Sequence, residues 1–168
     1  MENMLRLGPK EMKGSIWDEG GGTTIVQILI SHRHYQIDSI QFLYAVNGKV
    51  FRSEIRGELT GLKFDMVTFD HPREYLTSVS GQYNNGAYNG ELVSIAFGTN
   101  IRKYGPFGRV VDNSLTQFVY NFTPKVSFGG FYGSVYNHSV YAIGVYVRPL
   151  VSLAEIESYI IKDEERRR

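Results

Sequence analysis

The chain has 168 residues, a length that fits one domain, with 18 basic and 17 acidic side chains and no cysteine. A net charge of +1 gives no electrostatic case for nucleic acid binding, and the missing cysteines exclude disulfides and thiolate chemistry. Gly is frequent at 18 residues, as are Tyr at 12 and Phe at 10, a composition that favours short strands joined by turns.

The predicted elements are short strands bounded by Gly, Asn, Pro or Asp. Residues 24–30 are rich in β-branched side chains, and apolar residues alternate over residues 38–44. Asn47-Gly48 then predicts a tight hairpin. Further strands are predicted at residues 64–69, 75–79, 92–97, 118–122, 126–128 and 140–147. The series predicts an all-β sandwich, barrel or prism, with the single Trp17 in its core.

Three segments have a similar pattern, at residues 37–42, 76–81 and 140–145. In each, an apolar residue stands three positions after the first and a polar or small residue follows it. Their unequal spacing argues against a solenoid. The pattern predicts three sheets that contribute similar hairpins around one axis.

The two termini differ from the body of the chain. Residues 162–168 are all charged, and aliphatic residues precede them at near-helical spacing: Leu153, Ile156, Ile160 and Ile161. This pattern predicts a short C-terminal helix that packs on its own domain, in preference to docking on a partner, and frays at its end. No signal-peptide core and no stretch near the ~20 apolar residues of a membrane span are present, which predicts a cytoplasmic, non-membrane protein.

Several motifs in order carry a family resemblance: Gly14-Ser15-Ile16-Trp17-Asp18-Glu19-Gly20, the segment 71–81 with Pro-Arg-Glu-Tyr-Leu-Thr, Tyr104-Gly105-Pro106-Phe107-Gly108 and the segment 142–149. Together they resemble the jacalin-related lectins of plants. The resemblance implies a β-prism I of three four-stranded antiparallel sheets with pseudo-threefold symmetry over residues 14–149. Residues 1–13 are then an N-terminal extension, and residues 150–168 form a partly helical tail.

The resemblance also implies a shallow carbohydrate site, built largely by a Gly-x-x-x-Asp loop whose Asp accepts bonds from sugar hydroxyls. Aligned on residues 142–146, the loop falls on 137–141, with Asn137 in place of the Gly and Tyr141 in place of the Asp. Gln82, Tyr83, Asn84 and Asn85 are expected to form a facing loop. The candidate carbohydrate-binding residues are Gly14, Gln82, Tyr83, Asn137, His138, Ser139, Val140 and Tyr141.

Two functions follow from this resemblance and stay open. One is a carbohydrate-binding, lectin-like domain of mannose type, weakened because a lost charged hydrogen bond costs ~1.5–3 kcal/mol. The other is a lectin-fold protein-interaction module in plant defence, without sugar binding. Single-domain crucifer members of the family, some linked to restricting virus movement, also carry a tyrosine at the position of Tyr141. The partner is accordingly a weakly bound sugar or a protein, with a homo-oligomer as a further alternative.

No pattern predicts an enzyme, a metal site or a cofactor. His32 and His34 alternate along a predicted strand, but a zinc site needs at least a third ligand. Gly20-Gly21-Gly22 lacks the Lys of a phosphate-binding loop, and no Gly-x-Ser-x-Gly nucleophile turn occurs.

Overall fold

The computed structural model describes residues 4–84, 90–109, 112–122, 126–149 and 153–168. Almost all of the secondary-structure elements in this part of the chain are β-strands. They are β1 (Leu5–Leu7), β2 (Ser15–Asp18), β3 (Ile25–Arg33), β4 (Gln36–Val46), β5 (Lys49–Arg52), β6 (Arg56–Gly57), β7 (Lys63–Thr68), β8 (Leu76–Tyr83), β9 (Leu92–Thr99), β10 (Lys103–Gly108), β11 (Thr116–Asn121), β12 (Val126–Tyr136) and β13 (Ser139–Pro149). The helix α1 (Leu153–Arg167) follows them.

The strands form three antiparallel sheets around one core, which confirms the predicted all-β prism. Their strand orders are β1-β13-β12-β2, β10-β9-β8-β11 and β5-β4-β3-β7, and the short β6 adds to the third sheet by pairing with β4. A long hairpin lies at the centre of each sheet: β12–β13, β8–β9 and β3–β4. The Phe131 ring stacks on Phe42 at 4.6 Å and meets Phe97 edge-on at 6.4 Å, so one side chain connects all three sheets.

The second strand of each central hairpin carries the repeated inward pattern. Each contributes two fully buried core residues at spacing two: Ile40 and Phe42, Ile95 and Phe97, and Ile143 and Val145. The sequence-based choice of residues 76–81 as one repeat is wrong, because this segment lies in β8, the first strand of its hairpin. The structural equivalent lies in β9. Both strands of a hairpin alternate with period two, so the pattern by itself does not tell them apart.

Strand β12 is much longer than the predicted strand at residues 126–128. The prediction was too short because three glycines within β12 interrupt the strand pattern of the sequence. One of them has a packing role. A Cβ at Gly133 would lie 2.6 Å from the ring of Trp17. The glycine therefore makes room for Trp17, which is 4% exposed, and the predicted core position of this tryptophan is confirmed.

The N-terminal extension contributes to the prism. Leu5, Arg6 and Leu7 pair with Val147, Tyr146 and Val145 of β13, so β1 covers an edge of the first sheet. Tyr132 holds the same segment from the sheet face, because the Arg6 guanidinium lies 4.2 Å from the centre of its ring.

The predicted C-terminal helix is confirmed, but its aliphatic face is not the one that lies toward the domain. Its aliphatic side chains are exposed: Leu153 at 71%, Ile156 at 40%, Ile160 at 48% and Ile161 at 57%. The opposite face, with Ala154, Ser158, Lys162 and Arg166, lines a cleft of about 1080 Å³ where β12 begins and β13 ends. An ion pair of 2.9 Å between Arg148 and Glu155 ties the helix to β13. The helix includes most of the charged residues at the end of the chain and ends at Arg167.

Within the described residues, no helix has the length and apolar character that crossing a bilayer requires.

Candidate functional site

The segment predicted to bind sugar forms the hairpin turn between β12 and β13, at the end of the prism opposite to α1. Tyr136 pairs with Ser139, which leaves Asn137 and His138 as a two-residue turn. Their φ angles are +51° and +68°. Positive φ at both central residues is the signature of the type I′ hairpin turn, in which Asn is among the best-tolerated residues after Gly. Asn137 therefore has a positive φ, in the region that glycine adopts most readily.

Tyr141 is the extra residue of a β-bulge. Ser134 pairs with Ala142 and Val135 pairs with Val140, so Tyr141 has no partner in the register. A bulge turns the extra side chain away from the regular alternation and leaves its backbone outside the ladder. The half-buried ring of Tyr141 packs edge-on against Tyr136 at 5.6 Å and 81°, beside the turn.

Gly14 brings the first loop against this hairpin. Its φ is +95°, and a Cβ would lie 2.1 Å from the Val135 carbonyl oxygen and 2.8 Å from the Tyr136 Cβ. Only a glycine permits this approach. The neighbouring Lys13 places its Nζ 4.4 Å from the centre of the Tyr136 ring. Gly14, Tyr136 and Tyr141 thus form one continuous surface with the turn.

His138 connects the turn to the third sheet. The backbone N–H of Glu58 donates to the His138 carbonyl at 3.1 Å, and His138 Nδ1 lies 2.6 Å from Glu58 Oε1. Both side chains are largely exposed. These contacts hold the residue whose positive φ is the less favourable of the two in the turn.

Ser139 connects the turn to the second sheet. Its side chain is 2% exposed, and its Oγ lies 3.3 Å from Glu91 Oε1 and 3.3 Å from the Tyr136 carbonyl oxygen. Burial raises the pKa of the Glu91 carboxyl, the bond from Ser139 opposes this shift, and the charge of Asp38 adds to it. A half-buried carboxylate therefore lies beside the turn.

Gln82 and Tyr83 serve the scaffold. The Gln82 amide is 3% exposed and exchanges two bonds with the Asp112 backbone, at 2.8 and 3.2 Å. The Tyr83 hydroxyl donates to the Ile143 carbonyl at 3.1 Å and accepts from the Ile143 N–H at 3.2 Å. Burial raises the pKa of Tyr83 to about 12. Tyr83 thus fixes the backbone of β13 at Ile143, two residues beyond Tyr141.

The remaining residues predicted for the site are Val140, Asn84 and Asn85. The Val140 side chain is fully buried in the core, so only its backbone can face a ligand. Asn84 lies at the base of the facing loop, where its N–H donates to the Glu91 carbonyl at 3.0 Å. Asn85 lies outside the described residues.

His32 and His34 do not form a pair. His32 is buried, with its Nε2 at 2.7 Å from Asp65 Oδ2 and its Nδ1 accepting from the Gly108 N–H at 3.1 Å. His34 lies beyond the end of β3, with its ring edge-on to Tyr35. Among the described residues, no three His, Cys, Asp or Glu side chains are grouped as metal ligands.

Comparison with known proteins gives the fold a family. A family model described as the jacalin-like lectin domain matches residues 7–146. The chain belongs to this family. Protein RESTRICTED TEV MOVEMENT 1 of Arabidopsis thaliana is 37% identical over 84% of this chain and 82% of its own length. Jacalin-related lectin 2 of Arabidopsis thaliana is 34% identical over 90% of each chain.

Among solved structures, a mannose-binding jacalin-related lectin from Ananas comosus superposes with a TM-score of 0.72. It is 31% identical to the chain, and the match covers 89% of this chain and 100% of that one. The jacalin-like lectin fold of this chain is therefore a β-prism.

Sequence reasoning missed four side chains around this hairpin of the jacalin-like lectin domain: Lys13, Glu58, Glu91 and Tyr136. Glu58 and Glu91 enter from the other two sheets, so no local motif connects them to the turn. Tyr136 directly precedes the turn and had a signal, because an aromatic residue beside a candidate sugar loop is a candidate stacking surface.

Proposed function

We propose that the chain is a carbohydrate-binding lectin that takes a neutral hexose of mannose or glucose type at the Asn137–His138 turn. The observation that carries the proposal is the turn backbone: φ is +51° at Asn137 and +68° at His138, with Gly14 packed against the same hairpin. Of the two changes from the family loop, the one at Asn137 keeps the conformation. Only the carboxylate at Tyr141 is missing.

The binding groups would be partly backbone and partly aromatic. A neutral polyhydroxylated ligand needs convergent donors and acceptors in fixed positions. The turn and the bulged Tyr141 offer backbone polar groups that lie outside the regular ladder. The half-buried rings of Tyr136 and Tyr141 offer apolar surface beside them. Similarity to the mannose-binding jacalin-related lectin of Ananas comosus supports the same ligand class.

Weak affinity is expected, because one charge-assisted bond is absent. A millimolar dissociation constant corresponds to about −4 kcal/mol, so losing ~1.5–3 kcal/mol removes a large share of it. The proposed role is binding without catalysis. A protein partner, association of identical copies and a cytoplasmic location stay predictions.

A titration of the uniformly ¹⁵N-labelled chain with methyl α-mannoside tests this proposal. We expect amide shifts at Gly14 and residues 136–141 at sugar concentrations of about 10–50 mM. Methyl α-galactoside is the matched control and should give smaller shifts at the same residues. Unchanged spectra with both sugars, or shifts confined to the α1 end of the prism, would refute a sugar site at this turn.

The second candidate function is a protein-interaction module in plant defence, and two observations favour it. Tyr141 replaces the family carboxylate, and α1 exposes an aliphatic face with Ile160 at 48% and Ile161 at 57%. The relative named Protein RESTRICTED TEV MOVEMENT 1 points in the same direction. A silent titration with mannoside, glucoside and galactoside in a folded chain would favour this function over the lectin.

A further inference from the structure

Three carboxylates from other parts of the fold surround the Asn137–His138 turn, and they differ in how far their oxygens are already used. Asp38 is 1% exposed, with Oδ1 accepting from Gln36 Nε2 at 2.6 Å and Oδ2 from Arg33 Nε at 3.2 Å. It is buried, and both of its oxygens already accept hydrogen bonds within the scaffold. Glu58 is half exposed and lies 2.6 Å from the imidazole of His138.

Glu91 is the carboxylate with unused accepting capacity. Within the described part of the chain, its side chain accepts only from Ser139 Oγ, at a long 3.3 Å. That hydroxyl has one hydrogen and lies equally far, at 3.3 Å, from the Tyr136 carbonyl oxygen. Since an ionised carboxylate has about four accepting positions, Glu91 is poorly satisfied for a half-buried group. The direction of its pKa agrees, because burial raises that pKa and the Ser139 bond offsets the shift in part.

We propose that Glu91 supplies the carboxylate that the hairpin lost at Tyr141, accepting hydrogen bonds from a pair of adjacent hydroxyls of the bound hexose. This inference rests on the proposed lectin function and names a further binding residue for it. In this arrangement the accepting carboxylate lies on Glu91, at the start of a strand in the neighbouring sheet, instead of on the hairpin. The hydrogen bond from Ser139 Oγ holds the Glu91 carboxylate next to the turn.

The local backbone fixes Glu91 in this position. Its N–H donates to Asn84 Oδ1 at 3.1 Å, and its carbonyl accepts from the Asn84 N–H at 3.0 Å. Leu92, the next residue, is fully buried in the core. A carboxylate on an anchored strand end is preorganised, so binding would cost little side-chain entropy. Charge-assisted bonds to such an acceptor are about twice as strong as neutral ones.

The ligand class follows from the same geometry. Two carboxylate oxygens at a fixed position select two hydroxyl donors on neighbouring carbons. An anionic sugar would be repelled by Glu91 and by the Asp38 charge that already acts on it. We therefore expect neutral hexoses to bind and the corresponding uronic acids to bind more weakly.

Glu91→Gln tests the inference, since glutamine keeps the shape and can still accept from Ser139. The control is Glu155→Gln, the same change at a partly buried glutamate that pairs with Arg148. Arg148 and Ser139 stand on one strand nine residues apart, which is about 30 Å. Both variants and the parent chain are titrated with methyl α-mannoside. The initial slope of amide shift against concentration gives the affinity ratio without saturation.

We expect Glu91→Gln to lower affinity at least tenfold, which is about 1.4 kcal/mol, with Glu155→Gln within twofold of the parent. Glu91→Asp, which keeps the charge on a shorter chain, should retain more affinity than Glu91→Gln. If the parent chain binds no sugar, the proposed function fails. If the parent binds and Glu91→Gln binds equally well, the lectin function stands and the role of Glu91 is refuted. A uronic acid that binds as well as its neutral hexose would also contradict it.

Discussion

Two turns of this molecule share a short sequence pattern and have very different surroundings. Asn47-Gly48-Lys49-Val50-Phe51 and Asn137-His138-Ser139-Val140-Tyr141 share the pattern Asn-x-x-Val-aromatic. Each begins with an asparagine at positive φ, +50° in the first and +51° in the second. Both make two-residue turns, with the flanking residues paired as Val46 with Lys49 and Tyr136 with Ser139.

The difference comes from where the strands lie. The first turn leads into β5, at the edge of its sheet, whereas the second leads into β13, between β1 and β12. Val50 is consequently 62% exposed, and Val140 is fully buried. Gly48 has open space around it, and His138 contacts Glu58. The same local pattern gives a plain hairpin at one place and a candidate binding site at the other.

The largest expected effect is on stability, and it distinguishes the two turns by how closely a glycine beside or within each one is packed. Gly14→Ala, beside the second turn, places a Cβ 2.1 Å from the Val135 carbonyl at a φ of +95°. We expect it to lower the free energy of unfolding by about 3 kcal/mol. Gly48→Ala, at a φ of +77° with nothing within 4 Å, should cost only about 1 kcal/mol of strain. Urea denaturation of both variants measures the difference, and equal losses would contradict the close approach at Gly14.

The next effect concerns affinity. Tyr141→Asp restores a charged acceptor on the bulge, so methyl α-mannoside affinity should rise about tenfold, or ~1.4 kcal/mol. Phe51→Asp is the matched control, because Phe51 holds the same place in the first turn. Isothermal titration or amide shifts should show a gain in the first variant only. An unchanged affinity in Tyr141→Asp would mean that the bulge does not face the ligand.

A pH dependence should distinguish the turns further. Burial raises the pKa of Glu91 above that of an ordinary glutamate. As the pH falls, Glu91 is therefore protonated before an exposed carboxylate would be, and it loses its charge-assisted bonds. Mannoside affinity should fall several-fold as pH drops from 7 toward the range where Glu91 is neutral.

Glu91→Gln is the control for this pH series. It retains the other charged groups described around the turn, which are the Glu58–His138 pair, Asp38 and Lys13. The variant should bind with little pH dependence. A pH profile that is identical in parent and variant would show that Glu91 is not the group responsible for it.

The smallest effect concerns the turn residue itself. His138→Gly copies the Asn-Gly of the first turn and removes the strain of a histidine at a φ of +68°. It also removes the exposed contact with Glu58, a kind of pair that contributes ~0–1 kcal/mol. We expect a net gain in unfolding free energy of roughly 0.5–1 kcal/mol, measured by denaturant titration. A clear loss of stability would show that the Glu58 contact outweighs the backbone strain.

Much of the fold could be predicted from the sequence because its signals are local. Alternating residues such as Ile40 and Phe42 mark a strand wherever the chain runs, and Asn47-Gly48 marks a turn. The prediction failed where a choice depended on partners distant in sequence. The repeat was placed in β8 instead of β9 because both strands have the same period.

The candidate site shows the same division. The loop at residues 137–141 and Gly14 could be located from the family motif, and the structure places them side by side. The roles of Gln82 and Tyr83 could not be foreseen, since their polar atoms are used by Asp112 and Ile143, from other strands or loops. The helix pattern was also ambiguous, because exposed and buried aliphatic faces have identical spacing.

By itself the sequence determined the period-two strands and the positive-φ turns, because each depends on residues within a few positions of one another. Only the tertiary structure decided which side chains converge on the turn. Ser139 and Glu91 are 48 positions apart and meet because two sheets abut at this end of the prism. Glu91, the carboxylate that we propose for sugar binding, therefore reaches the turn through a contact that local periodicity does not encode.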